Sequence, residues 1–179
     1  MDKILMRRRW ILLFVIIAGM LAVDQVTKWL VVHNLIPYET VRPIPALAPF
    51  FQLTYIENTG SAFGFLPQAG DLFLIIAVVV VAAMIYFYPR VPANGRITRI
   101  AIGLISGGAL GNALDRLQYG HVVDFIHYQV PGLISNVSNL ADHAIVIGVI
   151  LIFIESWLHD RQAKAAHPVA LGADPRDDR

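Results

Sequence analysis

Four apolar stretches set the terms for this chain. The first runs uncharged from Trp10 to Val23 and continues to Val32, interrupted by Asp24 and Lys28. The second is uncharged from Leu72 to Tyr88 and closes at Pro89. The third runs from Ile100 to Leu114, and the fourth from His143 to Leu158 with Glu155 inside it. A helix crosses about 30 Å of hydrocarbon with roughly 20 residues, and about 17 can suffice. Only the second stretch reaches that length unaided; the others qualify if each carries polar residues at one end. Composition supports the membrane reading. Hydrophobic residues make up 56 % and charged residues 15 % of 179, more apolar surface than a soluble domain of this size can hide. A secretory signal peptide behind Arg7, Arg8 and Arg9 fits the first stretch less well, because its apolar character lasts to Val32 and three more spans follow.

Lys3 and Arg7 to Arg9 precede the first span, Arg90, Arg96 and Arg99 lie between spans two and three, and Arg161, Lys164, Arg176 and Arg179 follow span four. Only Lys28, Arg42 and Arg116 fall on the other side. Basic residues mark the cytoplasmic face, so both termini are predicted cytoplasmic, and the segments near 33–71 and 115–141 face outward. The expected fold is an all-α integral membrane protein. It is a bundle of four transmembrane helices with a small periplasmic β layer and a short outer loop. One membrane domain covers residues 1–160, with spans near 10–32, 70–89, 97–116 and 140–159. Outer segments cover about 33–69 and 117–139. The polar tail, 161–179, is predicted to be disordered. Four prolines break the first outer segment; the run from Phe50 to Glu57 reads as a strand, and Asn58-Thr59-Gly60 as a turn. A net charge of +1 offers no field for nucleic acid. The absence of cysteine excludes a disulfide framework, a thiol nucleophile and thiolate metal ligands.

Ionisable groups inside a bilayer cost several kcal/mol and mark function by default. Counted at 1.5 Å per helical residue, Asp24 lies about 22 Å beyond Arg9, Asp115 about 24 Å beyond Arg99, and Asp142 about 25 Å from His159. All three therefore reach the same outer level, joined by Lys28, Asn112 and Arg116, with Asp124 in the following connection. Asp24 and Lys28, four residues apart, can pair on one helix face. Asp115 has Arg116 beside it. Asp124 and Asp142 lack a local counter-charge, and two acids at close range share one proton, the arrangement of the aspartic proteases. Charge placement alone leaves three roles open: hydrolysis, proton-coupled transport, and structural pairing with Lys28 and Arg116.

Other chemistries are weaker. His121, Asp124, His127, Asp142 and His143 could be metal ligands, but on a helix the three-residue spacings send His121 and His127 in diverging directions, and no HExxH occurs. Ser106, Ser135 and Ser138 are poor candidates for a nucleophile. Gly103, Gly107 and Gly111 form a small-residue face suited to close helix packing. Glu155 and His33 have no role derivable from sequence.

Five blocks in order resemble the lipoprotein signal peptidases, signal peptidase II: Asp24-Gln25-Val26-Thr27-Lys28, Asn58-Thr59-Gly60-Ser61-Ala62-Phe63, Gly108 to Arg116, Val122-Val123-Asp124-Phe125, and Asn139-Leu140-Ala141-Asp142. The resemblance implies an inner-membrane aspartyl endopeptidase that cuts prolipoproteins before a diacylglyceryl-modified cysteine. It assigns catalysis to Asp124 and Asp142, and substrate binding or site orientation to Asn58, Gly60, Gly108, Asn112, Arg116, Asn139 and Ala141. Asp24, Lys28 and Asp115 take supporting roles. It implies a lipidated prolipoprotein partner, contact with membrane lipid, and inhibition by the cyclic peptide globomycin, with no metal, cofactor or nucleic acid. The chain is expected to act as a monomer in the bacterial inner membrane, with its active site near the periplasmic face. Ser138 stands where the family usually has Phe, and His143 where Ser is common.

Overall fold

The computed structural model describes residues 3–60 and 69–166. Four long helices, α1 (Lys3–Asn34), α2 (Ala69–Phe87), α3 (Arg96–Tyr119) and α4 (Leu140–Ala166), form the bundle. All four are long and apolar enough to cross a membrane. Their outer faces carry the apolar residues that a soluble protein would bury; Phe14, Val15, Val78, Val79 and Phe153 are all exposed. Lipid is the solvent for these faces, so the bundle holds together by close packing rather than by hiding apolar surface from water.

The small residues make that packing possible. α3 lies among the other three helices. On its Gly103–Gly107–Gly111 face, a Cβ at Gly103 would come within 2.9 Å of Ile16 Cβ, and one at Gly107 within 2.8 Å of Met20 Cβ. A Cβ on Gly111 would overlap the Asp24 carboxylate. On another face, a Cβ on Gly108 would overlap the Ala141 carbonyl oxygen of α4. The glycines thus set the distances from α3 to α1 and to the start of α4.

Four antiparallel strands, β1 (Thr40–Val41), β2 (Phe51–Asn58), β3 (Val122–Val130) and β4 (Ile134–Ser138), form one sheet in the order β1-β2-β3-β4. It packs on one end of the bundle through Val31, Tyr55, Val123, Phe125 and Ile126. β2 lies one residue later than the strand read from sequence. The segment between spans three and four, expected as a short loop, is a hairpin that supplies half the strands. Its apolar and β-branched run, Val122 to Val130, ends at Pro131-Gly132, and Gly132 takes a positive φ of 77°, which glycine adopts without a Cβ clash. Pairing between β2 and β3 slips between Leu53 and Ile56. Such a bulge re-aims side chains, and Asp124, opposite Ile56, is on the first pair beyond it.

At the opposite end, Glu155 supplies a cap that sequence did not reveal. Its Oε2 accepts the Thr98 backbone N–H at 2.7 Å and also the Thr98 hydroxyl, closing the first turn of α3. His33 Nδ1 meets the Trp29 carbonyl at 2.8 Å in the last turn of α1. α4 continues past the expected boundary at residue 160, because no helix breaker occurs before Pro168 and Arg161 stacks on Trp157 one turn back, 4.0 Å from its ring. The rest of the predicted tail, from residue 167, lies outside the described residues.

Candidate active site

Where α1, α3 and α4 meet the sheet, five ionisable side chains sort into two groups. The first is built around Lys28. Its Nζ lies 2.9 Å from Asp24 Oδ2 and 2.7 Å from Asp115 Oδ2, and it donates to Asn112 Oδ1 at 2.9 Å. Asp24 and Asp115 are fully buried and Lys28 nearly so. Each acid also ties down backbone: Asp24 Oδ1 accepts the Ala141 N–H at 3.0 Å, and Asp115 Oδ2 accepts the Val123 N–H at 3.1 Å. Gln25 Nε2 joins them, donating to Asp115 Oδ1 at 2.8 Å and to Asp24 Oδ2 at 3.2 Å. Sequence foresaw the Asp24–Lys28 pair. It set Asp115 beside Arg116, but the cation that pairs with Asp115 comes from α1. Arg116 instead donates to the Asn112 carbonyl at 3.1 Å and lies over the Phe73 ring at 5.2 Å.

The second group is Asp124 and Asp142, whose carboxylates are hydrogen-bonded, among the described residues, by side-chain amides. Asn58 Nδ2 donates to Asp124 Oδ2 at 2.7 Å, and Asn139 Nδ2 to Asp124 Oδ1 at 2.6 Å. Asn112 Nδ2 donates to Asp142 Oδ1 at 2.7 Å. Asn139 is also the N-cap of α4: its Oδ1 accepts the Asp142 N–H at 3.0 Å. One buried amide therefore holds both acids, one by its side chain and the other by its backbone. Asn112, in turn, bridges Lys28 to Asp142. Asn58 is fixed by the turn the sequence signalled: its Oδ1 accepts the Gly60 N–H at 2.9 Å, and Gly60 has φ 75°. A Cβ there would come within 2.8 Å of the Phe73 ring that Arg116 covers. Ser61, Ala62 and Phe63 of the same block lie outside the described residues.

Both acids line a cavity of about 500 Å³ between β3, β4 and α4, whose walls include Tyr128, Ser138, His143 and Ile147. Asp142 also lines a second cavity, about 370 Å³, between α2, α3 and α4, walled by Phe73, Ile76, Val80 and Ile145 with Arg116 at its polar end. Burial pushes the Asp124 carboxyl up to about 6; the nearby Asp142 charge adds to this, while the two asparagine donors oppose it. No group of three or more His, Cys, Asp or Glu placed to hold a metal occurs among the described residues. Residues 122–130 form a strand rather than a helix, so Asp124 and His127 point to opposite faces. His127 instead bonds Thr54 and Ser135 at 2.9 Å each, and His121 Nε2 lies 3.9 Å from Glu57.

All twelve residues singled out by sequence thus fall in or against this one region. The sequence reading missed Gln25 as a ligand of two acids, although a polar amide inside an apolar span was a signal. It also missed Phe73, which nothing in the sequence distinguishes from the other aromatic residues of its span. His143, noted as a departure, places Nδ1 2.6 Å from the Asn139 carbonyl and packs edge-on against Tyr128.

The signal peptidase (SPase) II family model matches residues 16–158. The chain belongs to the signal peptidase II family. It is therefore a membrane protease. Among its relatives, the lipoprotein signal peptidase of Halothermothrix orenii is 36 % identical over 150 residues, covering 84 % of this chain and 98 % of that one. That of Pelotomaculum thermopropionicum is 43 % identical over 140 residues, covering 78 % and 88 %. A solved bacterial membrane enzyme superposes with a TM-score of 0.73 at 34 % identity, covering 85 % of this chain and 90 % of that one. The signal peptidase II match takes in every residue of both acid groups.

Proposed function

We propose that Asp124 and Asp142 form the catalytic pair of an aspartyl endopeptidase that removes the signal peptide from diacylglyceryl-modified prolipoproteins, cutting before the lipidated cysteine. The observation that carries this reading is the division of the acids. Lys28 engages Asp24 and Asp115, while Asp124 and Asp142 face one cavity with amides for partners. Two acids that face each other with no ion-pair partner among the described residues keep one proton between them.

In the mechanism, the ionised carboxyl takes a proton from a water between the pair, and that water attacks the scissile carbonyl carbon. The protonated carboxyl hydrogen-bonds the developing oxyanion. The tetrahedral intermediate collapses, the C–N bond breaks, and the leaving amine takes a proton from the pair. Asn58 and Asn139 orient Asp124, Asn112 orients Asp142, and Arg116 stands at the polar end of the second cavity. Gly60 gives Asn58 its turn. Gly108 and Ala141 keep α3 and α4 close enough for Asn112 to reach Asp142. The aliphatic walls of the second cavity suit the apolar signal segment. Each methylene of the diacylglyceryl group buried in lipid contributes about 0.8 kcal/mol, which holds the cysteine at the level of the pair.

The enzyme acts in the bacterial inner membrane with both termini cytoplasmic and the sheet on the periplasmic side, as the basic residues around the far end of the bundle indicate. The chain is taken to act as a monomer. A globomycin-type cyclic peptide would compete for the cavity between the two acids. The test is cleavage of a lipidated precursor by the purified protein and its Asp124→Asn and Asp142→Asn variants. Loss of product in both, with cleavage by the parent unaffected by chelator, is expected. Near-full turnover by either variant overturns the assignment, and proton-coupled flux in proteoliposomes without cleavage would replace it with transport.

A further inference from the structure

At the end of the bundle away from Asp124, four arginines line one cavity of about 440 Å³: Arg8 and Arg9 from α1, and Arg96 and Arg99 from the first turn of α3. The rule that basic residues gather on one side of the membrane explains their level. It does not explain why they surround a hollow that also presents Leu5 and Leu12. Arg99 is 4 % exposed, yet its Nε has no hydrogen-bond partner. Its other nitrogens donate to backbone carbonyls of the α2–α3 connection, Val91 at 3.3 Å, Ala93 at 3.4 Å, and Pro92. These carbonyls hold the guanidinium in place without neutralising it.

Among the described residues, Arg8, Arg96 and Arg99 form no ion pair. Glu155 of α4 bears electrostatically on Arg99, but its carboxylate is engaged by Thr98 and forms no ion pair with it. Arg8 and Arg96 beside a buried guanidinium with an unpartnered Nε leave positive charge in excess of the one carboxylate that bears on it; this calls for an anion, and arginine presents the donor fork that matches phosphate oxygens. The leucine side chains beside it, on a helix that faces lipid, favour an anion with an apolar attachment.

We propose that this hollow binds the phosphate of an anionic membrane phospholipid, with Leu5 and Leu12 against the first methylenes of its chains. The site is separate from the acid pair and does not depend on its assignment. The test uses the full chain in neutral detergent, with retention of phosphatidylglycerol, phosphatidylcholine and inorganic phosphate compared by native mass spectrometry. Phosphatidylglycerol should be retained roughly tenfold or more over phosphatidylcholine, and the exposed pair Arg8→Gln/Arg96→Gln should remove that preference. Peptide cleavage and melting temperature in lipid-free detergent should match the parent; if the double variant melts lower, each single variant carries the comparison. Equal retention of the two lipids overturns the proposal, as does an unchanged preference in the variants. Retention of inorganic phosphate without the lipid also overturns it, and makes the site one for a soluble anion.

Discussion

Asp115 and Asp124 lie nine residues apart, are 0 % and 2 % exposed, and stand at the same end of the bundle, yet their surroundings differ. Asp115 has a lysine at 2.7 Å and a backbone N–H at 3.1 Å, and no cavity opens onto it among those described. Asp124 has two amide donors, no ion pair among the described residues, and a wall of a 500 Å³ hollow. Burial alone therefore does not mark a reactive acid. What matters is whether the charge is already answered. An acid locked to a lysine joins elements of the fold, whereas an acid held only by amides keeps an adjustable proton.

The sharpest way to break this comparison is to neutralise each acid in turn. Asp124→Asn and Asp142→Asn should each lower turnover on a lipidated peptide by about 10³-fold or more, with the melting temperature held within a few degrees. Should Asp115→Asn give the same kinetic loss at full stability, the division between the groups fails. Next in size is Lys28→Met, which leaves Asp24 and Asp115 buried without their cation. A loss of about 3–5 kcal/mol is expected in denaturation of the detergent-solubilised protein, and adding Asp115→Asn to that variant should recover part of it.

A smaller effect is expected from Gly111→Ala. The added methyl group overlaps the Asp24 carboxylate, and the strain should cost about 1–3 kcal/mol. Gly19→Ala, where nothing lies within 4 Å of the new methyl, serves as the control on the same bundle. The smallest effect concerns pH. A carboxyl near 6 keeps its proton below that pH and loses it above, so kcat/KM, which under the proposed mechanism needs one proton on the pair, should decline on the alkaline side as pH rises through about 6. Asn58→Ala removes a donor that favours the charged form, which raises the Asp124 carboxyl further. The alkaline limb should then move to higher pH by about one unit. A limb that stays in place would mean that Asn58 does not tune this proton.

Much of this comparison was legible before any coordinates. Counting helix rise placed Asp24, Asp115 and Asp142 at one depth, and spacing paired Asp24 with Lys28. What spacing could not supply was the second partner of Lys28. Asp115 is 87 residues away, on a helix whose rotation about its own axis depends on glycines meeting α1. The hairpin of β3 and β4 was hidden for a related reason. A short apolar run beside a span reads equally as strand, loop or helix end, and its pairing with β2 decides among them. Glu155 was unreadable because the helix end it caps lies on another element.

The sequence by itself determined the four spans, the level of the acids and the family, since hydrophobic length, helical rise and ordered motifs are local properties of the chain. Only the tertiary structure decided which acids are answered by Lys28 and which face a cavity. That choice depends on how α3 is turned between α1 and α4, and on Asn139 reaching Asp124 from the cap of a separate helix, because side-chain hydrogen bonds act over about 3 Å and the residues making them are far apart in the chain.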